Sequence, residues 1–301
     1  MVSELAPIVL FVYNRPRHAR LTVEALQKNR LASESELYVY ADGPRGESDR
    51  QQVEEVRDYL GGVDGFARVT MIKREHNMGL ANSIISGVSD ILDRYNRVIV
   101  LEDDMVTSPH FLRYMNGALE LYEHEEWVIS VHGYVYPAQE SLPETFFLKG
   151  ADCWGWGTWK RGWNQFEPDG AKLYRELKDR RLEQRFDLNG SYDYTQMLKD
   201  QISGKNDSWA IRWYASALLN DRLTLYPGRS LVQNIGTDKS GVHCVATNDY
   251  LTKITLEPIH LERLWPEENG AALTILQRYF ESLRLPFHKR LLGKLKEAAG
   301  C

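Results

Sequence analysis

Arg97-Val-Ile-Val-Leu101, followed at once by Glu102-Asp103-Asp104, decides how the chain is read. Four apolar, mostly β-branched residues ending in three acids predict a buried strand that stops at a polar edge. The same pattern recurs upstream. Pro7-Ile-Val-Leu-Phe-Val-Tyr13 reads as a strand ending in Tyr13-Asn14-Arg15, and Pro16 then opens a helix to about Arg30. Glu36-Leu-Tyr-Val-Tyr-Ala41 is a second strand, running into the turn Asp42-Gly-Pro-Arg-Gly46 and a helix from about Ser48 to Leu60. Arg68-Val-Thr-Met-Ile-Lys73 is a third, reaching His76-Asn77-Met78-Gly79. Leu80 to Arg94 follows as a helix with Ile84, Ile85, Val88, Ile91 and Leu92 on one face. Strands alternating with helices predict βαβ crossovers, hence an α/β fold with a mainly parallel sheet flanked by helices. Ligands of such sheets bind beyond the carboxyl ends of the strands. Four polar clusters fall there, although Asp-Gly and Asn-x-Gly are also common turn and helix-entry signals.

Composition narrows the classes. The chain has 301 residues, 43% hydrophobic and 26% charged, an ordinary globular balance. Lys and Arg number 37 against 42 Asp and Glu, a formal charge of -5, which argues against nucleic acid as a partner because that affinity rests on a dense basic face. The longest apolar run, Ala6 to Tyr13, suits a strand and falls far short of the roughly 20 residues of a membrane span. No secretory leader is visible. Cys153, Cys244 and Cys301 are odd in number and lack CxxC spacing, so neither a disulfide framework nor a zinc knuckle is expected. A reducing, cytoplasmic setting is the simplest expectation.

The second half is less regular. Helices are expected at about 109–124, 170–181, 192–204, 209–221 and 270–284, and short strands near 127–132 and 223–226. The last fifteen residues, Phe287 to Cys301, form a basic amphipathic pattern carrying Lys289, Arg290, Lys294 and Lys296. Such a helix either packs on the domain or makes a peripheral contact with an anionic membrane surface.

Clustered carboxylates at the mouth of a sheet repel one another unless a cation or hydrogen-bond donors offset them. Mg²⁺ or Mn²⁺ takes carboxylate oxygen and keeps sites free for phosphate. The plainer reading is a solvated acidic turn before the next helix. The chain has no GxxxxGK[ST] loop, no GxGxxG after the first strand, no HExxH and no GxSxG. A nucleotide diphosphate held by a metal on strand-end acids, without a P-loop, points to a nucleotide-sugar enzyme.

The residues now on the page resemble a known family. Ile8 to Tyr13 with Asn14-Arg15-Pro16, then Ala41-Asp42-Gly43, Asn77-x-Gly79-x-x-Asn82 and Leu101-Glu-Asp-Asp104 with Ser108-Pro-x-Phe111 are similar to GT-A-fold glycosyltransferases of the broad family-two type. Trp154-Gly-Trp-Gly157 and Asp207-Ser-Trp209 add a likeness to the inverting N-acetylglucosaminyltransferases of the N-glycan pathway. The resemblance covers about residues 7–245 and lies in the order and spacing of the motifs. It implies a GT-A, Rossmann-like domain over residues 1–265, with a nucleotide-binding half at 1–105, an acceptor-side catalytic half at 106–265, and a C-terminal helical extension at 266–301. The implied activity is inverting, metal-dependent transfer of a hexosyl or N-acetylhexosaminyl group from a nucleotide-sugar, foremost a UDP-sugar, to a saccharide or lipid-linked saccharide, as in polysaccharide biosynthesis.

Roles follow position by position. Tyr13, Asn14 and Arg15 would lie at the donor, with Arg15 approaching the diphosphate. Asp42 would accept from the uracil ring, and Asn77, Gly79 and Asn82 would sit near base and ribose. Asp104 would hold Mn²⁺ or Mg²⁺, Asp103 would contact ribose or donor sugar, and Glu102 would support them. His243, in Asp238-Lys-Ser-Gly-Val-His243, would be a further metal or diphosphate contact, with Lys239 a weaker phosphate candidate. Asp207 is the expected general base, one residue further from the tryptophan than the family has it; the alternatives are that it only caps a helix, or that Asp152 or Asp193 is the base. Sugars stack their C–H faces on aromatic rings, so one of Trp154 and Trp156 is expected in the pocket, with Trp159 and Trp163 in the core. Gly155 and Gly157 would allow close backbone approach. Two other outcomes stay open: a sugar nucleotidyltransferase, and an inactive sugar-binding module of the same fold.

Overall fold

The computed structural model describes residues 5–238 and 249–284. Its first half is β1 (Ile8–Val12), α1 (Pro16–Gln27), β2 (Glu36–Ala41), α2 (Glu47–Gly61), β3 (Arg68–Lys73), α3 (Leu80–Arg94) and β4 (Arg97–Glu102). Then come β5 (Met105–Thr107), α4 (Phe111–Leu121), β6 (Val128–His132), β7 (Thr145–Lys149), β8 (Trp156–Trp159) and α5 (Lys160–Trp163). The chain continues through α6 (Gly170–Asp179), α7 (Glu183–Phe186), α8 (Tyr194–Ile202), α9 (Trp209–Leu219), β9 (Leu223–Pro227), β10 (Val232–Asn234) and α10 (Gly270–Ser282).

Eight strands form one sheet in the order β3-β2-β1-β4-β8-β6-β9-β7. β1 to β4 are parallel, as the βαβ pattern predicts. The expectation of a mainly parallel sheet needs correcting beyond them: β8 runs antiparallel to both β4 and β6, and β7 antiparallel to β9, so the whole sheet is mixed. Beside β4 the cause is the tryptophan segment, whose residues Trp156–Trp159 enter the sheet as strand β8 rather than lining it as a loop.

Strand side chains alternate between two cores. Ile8, Leu10 and Val12 face α1, α2 and α4, whereas Val9 and Phe11 face α3, α5 and α9. Covered on both sides, β1 and β4 read as unbroken apolar runs. α10 packs Ala272, Leu273 and Leu276 against Phe146 and Leu148 of β7 and Tyr226 of β9. The basic pattern at 287–301 lies outside the described residues. Among the described residues no helix is long and apolar enough to cross a membrane.

Candidate functional site

Strand order reverses beside β1. The chain steps from β1 to β2 and β3 on one side, and β4 then returns to the other. The crevice between the carboxyl ends of β1 and β4 is therefore a topological switch point. Phe11 stands opposite Glu102 across that crevice. Arg15 leaves β1 there and meets the acids that leave β4. Its guanidinium bonds both oxygens of Asp103, through Nη2 to Oδ1 and through Nε to Oδ2 at 3.3 Å, and Nη2 reaches Asp104 Oδ2 at 2.8 Å. The three side chains are 17%, 5% and 7% exposed, so the pairing is largely shielded from water.

Burial works against the Arg15 charge, but Asp103 and Asp104 outweigh it and raise its pKa. Burial, then the charges of Asp104 and Asp103, push Glu102 up to about 8. Thr22 Oγ1 fixes the turn by donating to the Asp103 carbonyl at 2.8 Å. The backbone after β10 closes the other side. Ile235 N–H donates to the Asp104 carbonyl at 2.9 Å, and a Cβ on Gly236 would overlap Asp104 Oδ2.

One atom of this cluster stands out. Asp104 Oδ1 is buried and has no hydrogen-bond partner among the described residues. An orphaned carboxylate oxygen in a buried site usually marks a strained group or one awaiting an ion. No three His, Cys, Asp or Glu side chains among the described residues are grouped to hold a metal. One unpartnered carboxylate oxygen is a donor of the type that a hard divalent ion such as Mg²⁺ accepts. His243 lies outside the described residues.

The ends of β2 and β3 form a second cluster. Asp42 accepts backbone N–H bonds from Gly43 (3.0 Å), Met78 (2.9 Å) and Gly79 (3.1 Å), so its carboxylate ties the two strand ends together. Asn77 donates to the Gly43 carbonyl at 2.9 Å and accepts from Arg45 Nε at 3.2 Å. Gly79 adopts φ 74° and ψ 158°, a region open to glycine alone, as the chain enters α3. Asn82, one turn on, donates to the Met78 carbonyl and is exposed. Tyr13 bonds Asp49 of α2, and Asn14 and Arg15 line a cavity of about 290 Å³ with Ser48 and Gln52.

The tryptophan segment divides sharply. Trp156, expected at the donor pocket, is fully buried, with ring centroids 5.3 Å from Trp209 and 5.7 Å from Trp163. An indole with no free surface has no face to give a sugar, so Trp156 joins Trp159 and Trp163 in the core. Trp154 is half-buried, edge-on to Tyr134 and Tyr250. Its backbone N–H donates to His132 Nε2 at 3.0 Å. Gly155 has φ 66° and packs so tightly that a Cβ would meet Val232 at 2.6 Å. Burial pushes the neighbouring Cys153 thiol well up, and Asp152, Glu102 and Asp104 add to it. The antiparallel pairing of Trp156 with Val100 brings the residues before β8 to the end of β4 where the acids begin.

Asp207 precedes α9. Trp156 stands opposite Val100 of β4, and Trp209 packs on Trp156, so α9 begins at the edge where the acids lie. The helix cap is not Asp207 but Ser208, whose Oγ accepts from Ile211 N–H at 3.2 Å. Asp207 is 59% exposed, with Arg212 Nη2 at 3.6 Å. Asp152 is instead held, accepting from Tyr136 Oη at 3.1 Å. Sequence reasoning missed the Arg15 clamp on the acids, Gly236 and His132; only Gly236, in Asn234-Ile-Gly-Thr-Asp238, carried a local signal.

No family model matches the chain, and no curated protein matches it in sequence. Among solved structures it is similar to a mannosyltransferase from Pyrobaculum calidifontis, solved with GDP-Man and Mn²⁺, at 13% identity over 44% of this chain and 36% of that one, TM-score 0.32. It is similar to S. aureus TarS at 16% identity over 48% and 24%, TM-score 0.30. A UDP-glucose pyrophosphorylase complexed with UDP-glucose overlaps at 10% identity over 74% and 90%, TM-score 0.36. The chain thus spans well under two thirds of the first two. At these identities and TM-scores the site is read from its own residues.

Proposed function

We propose that the chain is an inverting glycosyltransferase that moves a sugar from a nucleotide-sugar, foremost a UDP-sugar, to a saccharide acceptor. The observation that carries this reading is the switch-point cluster, with Arg15 bound to Asp103 and Asp104 and with Asp104 Oδ1 buried and unpartnered. A mixed sheet with acids at the switch point, in the motif order that resembles family-two enzymes, supports a diphosphate at that place.

In this reading Asp104 holds Mn²⁺ or Mg²⁺ through Oδ1. The ion, when bound, supplies charge neutralisation for the departing diphosphate. Arg15 keeps the acids from repelling one another and presents its outer edge to the phosphates. The clamped loops at Asp42 and Asn77 form the rim for base and ribose, and Trp154 offers the aromatic surface nearest the donor. Asp207 accepts the acceptor hydroxyl proton as that oxygen forms its bond to the anomeric carbon and the bond from that carbon to the diphosphate breaks. Its exposure and its release from capping leave it open for that task.

UDP release from a panel of UDP-sugars with Mn²⁺ and oligosaccharide acceptors tests the reading. Metal-dependent release that disappears with Asp104→Ala supports it. Pyrophosphate release from UTP and a sugar 1-phosphate would replace it with a nucleotidyltransferase.

A further inference from the structure

A cavity of about 580 Å³ lies outside the switch point, between α8, α10 and the segment at Asp249 and Tyr250. Its apolar lining combines the rings of Tyr192, Tyr250 and Phe280 with the aliphatic Met197 and Leu283. Tyr192 and Tyr250 are half-buried, and Phe280 closes the floor with its ring 5.0 Å from that of Tyr192. Polar groups alternate with these rings: Gln196, Asn206 and Asp193 all reach the lining. Rings beside amides and carboxylates are the complement of a sugar, which shows C–H patches on its faces and hydroxyls around its rim.

We infer that this groove is a saccharide-binding subsite for the acceptor, and that its ligand is an uncharged sugar. The inference rests on the glycosyltransferase reading only for the word acceptor. Two contacts place the groove next to the chemistry. At one end Asn206 lines it, next in sequence to Asp207. At the other, Tyr250 meets Trp154 with ring centroids 5.6 Å apart; Trp154 lies two residues before Trp156, which pairs with Val100 near the acidic end of β4. A saccharide lying along Tyr192 and Tyr250 would thus run between the proposed base and the donor edge.

The charge of the lining selects the class. Asp193, Asp200 and Asp249 face it, and among the described residues that line it Arg284 is the one cation. Arg284 is itself engaged, bonding the Gly190 carbonyl and lying 3.8 Å from Asp193. Asp200 is held by Gln196 and Lys205. An acceptor carrying carboxylates or phosphates would bring like charge against these acids, so the groove discriminates against it.

Titration of the full chain with chitotriose, cellotriose and maltotriose, and with trigalacturonate as the acidic control, tests this by saturation-transfer NMR and calorimetry without donor. At least one neutral trisaccharide is expected to bind, with trigalacturonate at least tenfold weaker. Tyr250→Ala is expected to weaken the neutral ligand about tenfold, and Tyr250→Phe to keep most of the affinity. Should the alanine variant fail to fold, Gln196→Trp, at an exposed position of α8, fills the groove without touching the core and should abolish binding. Failure of all three neutral trisaccharides to bind overturns the inference, as does equal affinity for trigalacturonate or binding unaffected by Gln196→Trp. UDP binding, followed in the same samples, separates the two ideas: saccharide binding without UDP binding keeps the groove and removes the glycosyltransferase reading.

Discussion

Replacing Arg15 by Met tests the electrostatics on which the site depends. The substitution keeps much of the aliphatic stem and removes the one cation that, among the described residues, touches both Asp103 and Asp104. Removing one partner of a buried ion pair costs about 3–5 kcal/mol, because the other charge stays behind uncompensated. Arg15 is 17% exposed, so water reaches part of it and the lower end, about 3 kcal/mol, is expected. In a chain of this size that is a fall in melting temperature of roughly 5 °C. The loss must also depend on pH. Without Arg15 the clustered acids hold protons more tightly when folded than when unfolded. The variant therefore gains stability relative to the wild type as pH falls, and the gap at pH 5 is smaller than at pH 8. Arg15→Lys should fall between the two, since a point ammonium cannot bridge both carboxylates as the planar fork does. Thermal and urea unfolding at both pH values reads this directly. A loss below about 1 kcal/mol at pH 8, or one equal at both pH values, refutes the reasoning.

Asp104→Asn should keep the fold, since Asp103 still holds Arg15, but remove the Mn²⁺-dependent part of UDP binding; calorimetry with and without EDTA checks it, and unchanged metal dependence removes the role of Oδ1. Asp207→Asn should cut turnover by about 10²–10⁴-fold with a melting temperature close to wild type, whereas Ser208→Ala should cost about 1 kcal/mol of stability and leave chemistry largely intact; the reverse pattern would return Asp207 to a capping role. His132 gives a pH prediction. Burial lowers its pKa from 6.5, so the folded state resists the proton that the unfolded state accepts. The neutral imidazole's contribution is present above pH 6.5 and is lost as pH falls, by at most about 1.4 kcal/mol per pH unit. His132→Gln should flatten that slope between pH 6.5 and 5, and a parallel fall in the two proteins would sink the assignment.

The nucleotide-side half was legible because its signals are local. The expected strand Pro7–Tyr13 is β1 at Ile8–Val12, and the strands at Glu36–Ala41 and Arg68–Lys73 match β2 and β3. Each is a continuous apolar or alternating run with a turn signal at its end, and each of the two helices between them carries a one-sided apolar face. The second half contains elements whose existence depends on distant partners. β5 is three residues long, and pairs with β10 only because Met105 meets Asn234 far along the chain. β8 carries a glycine, Gly157, inside a strand of four, a composition that reads as a loop until β4 and β6 are seen on either side of it.

The same division runs through the site, and for the same reason. Spacing identified Arg15 and the acids Glu102 to Asp104 as strand-end residues, and the family resemblance assigned Arg15 to the diphosphate, Asp104 to a metal and Asp103 to ribose or donor sugar. What spacing does not contain is the order of strands in the sheet. Because β4 lies directly beside β1, two groups 88 residues apart emerge into one crevice and neutralise each other. Under the proposed function, an entering diphosphate would meet an Arg15 already held by carboxylates, rather than a free cation. Its net attraction must come from what the pair leaves unspent, which is the outer edge of the guanidinium and the single bare oxygen of Asp104. That makes Asp104 the residue whose neutral substitution separates a site built around a metal from one that is merely an ion pair at a sheet edge.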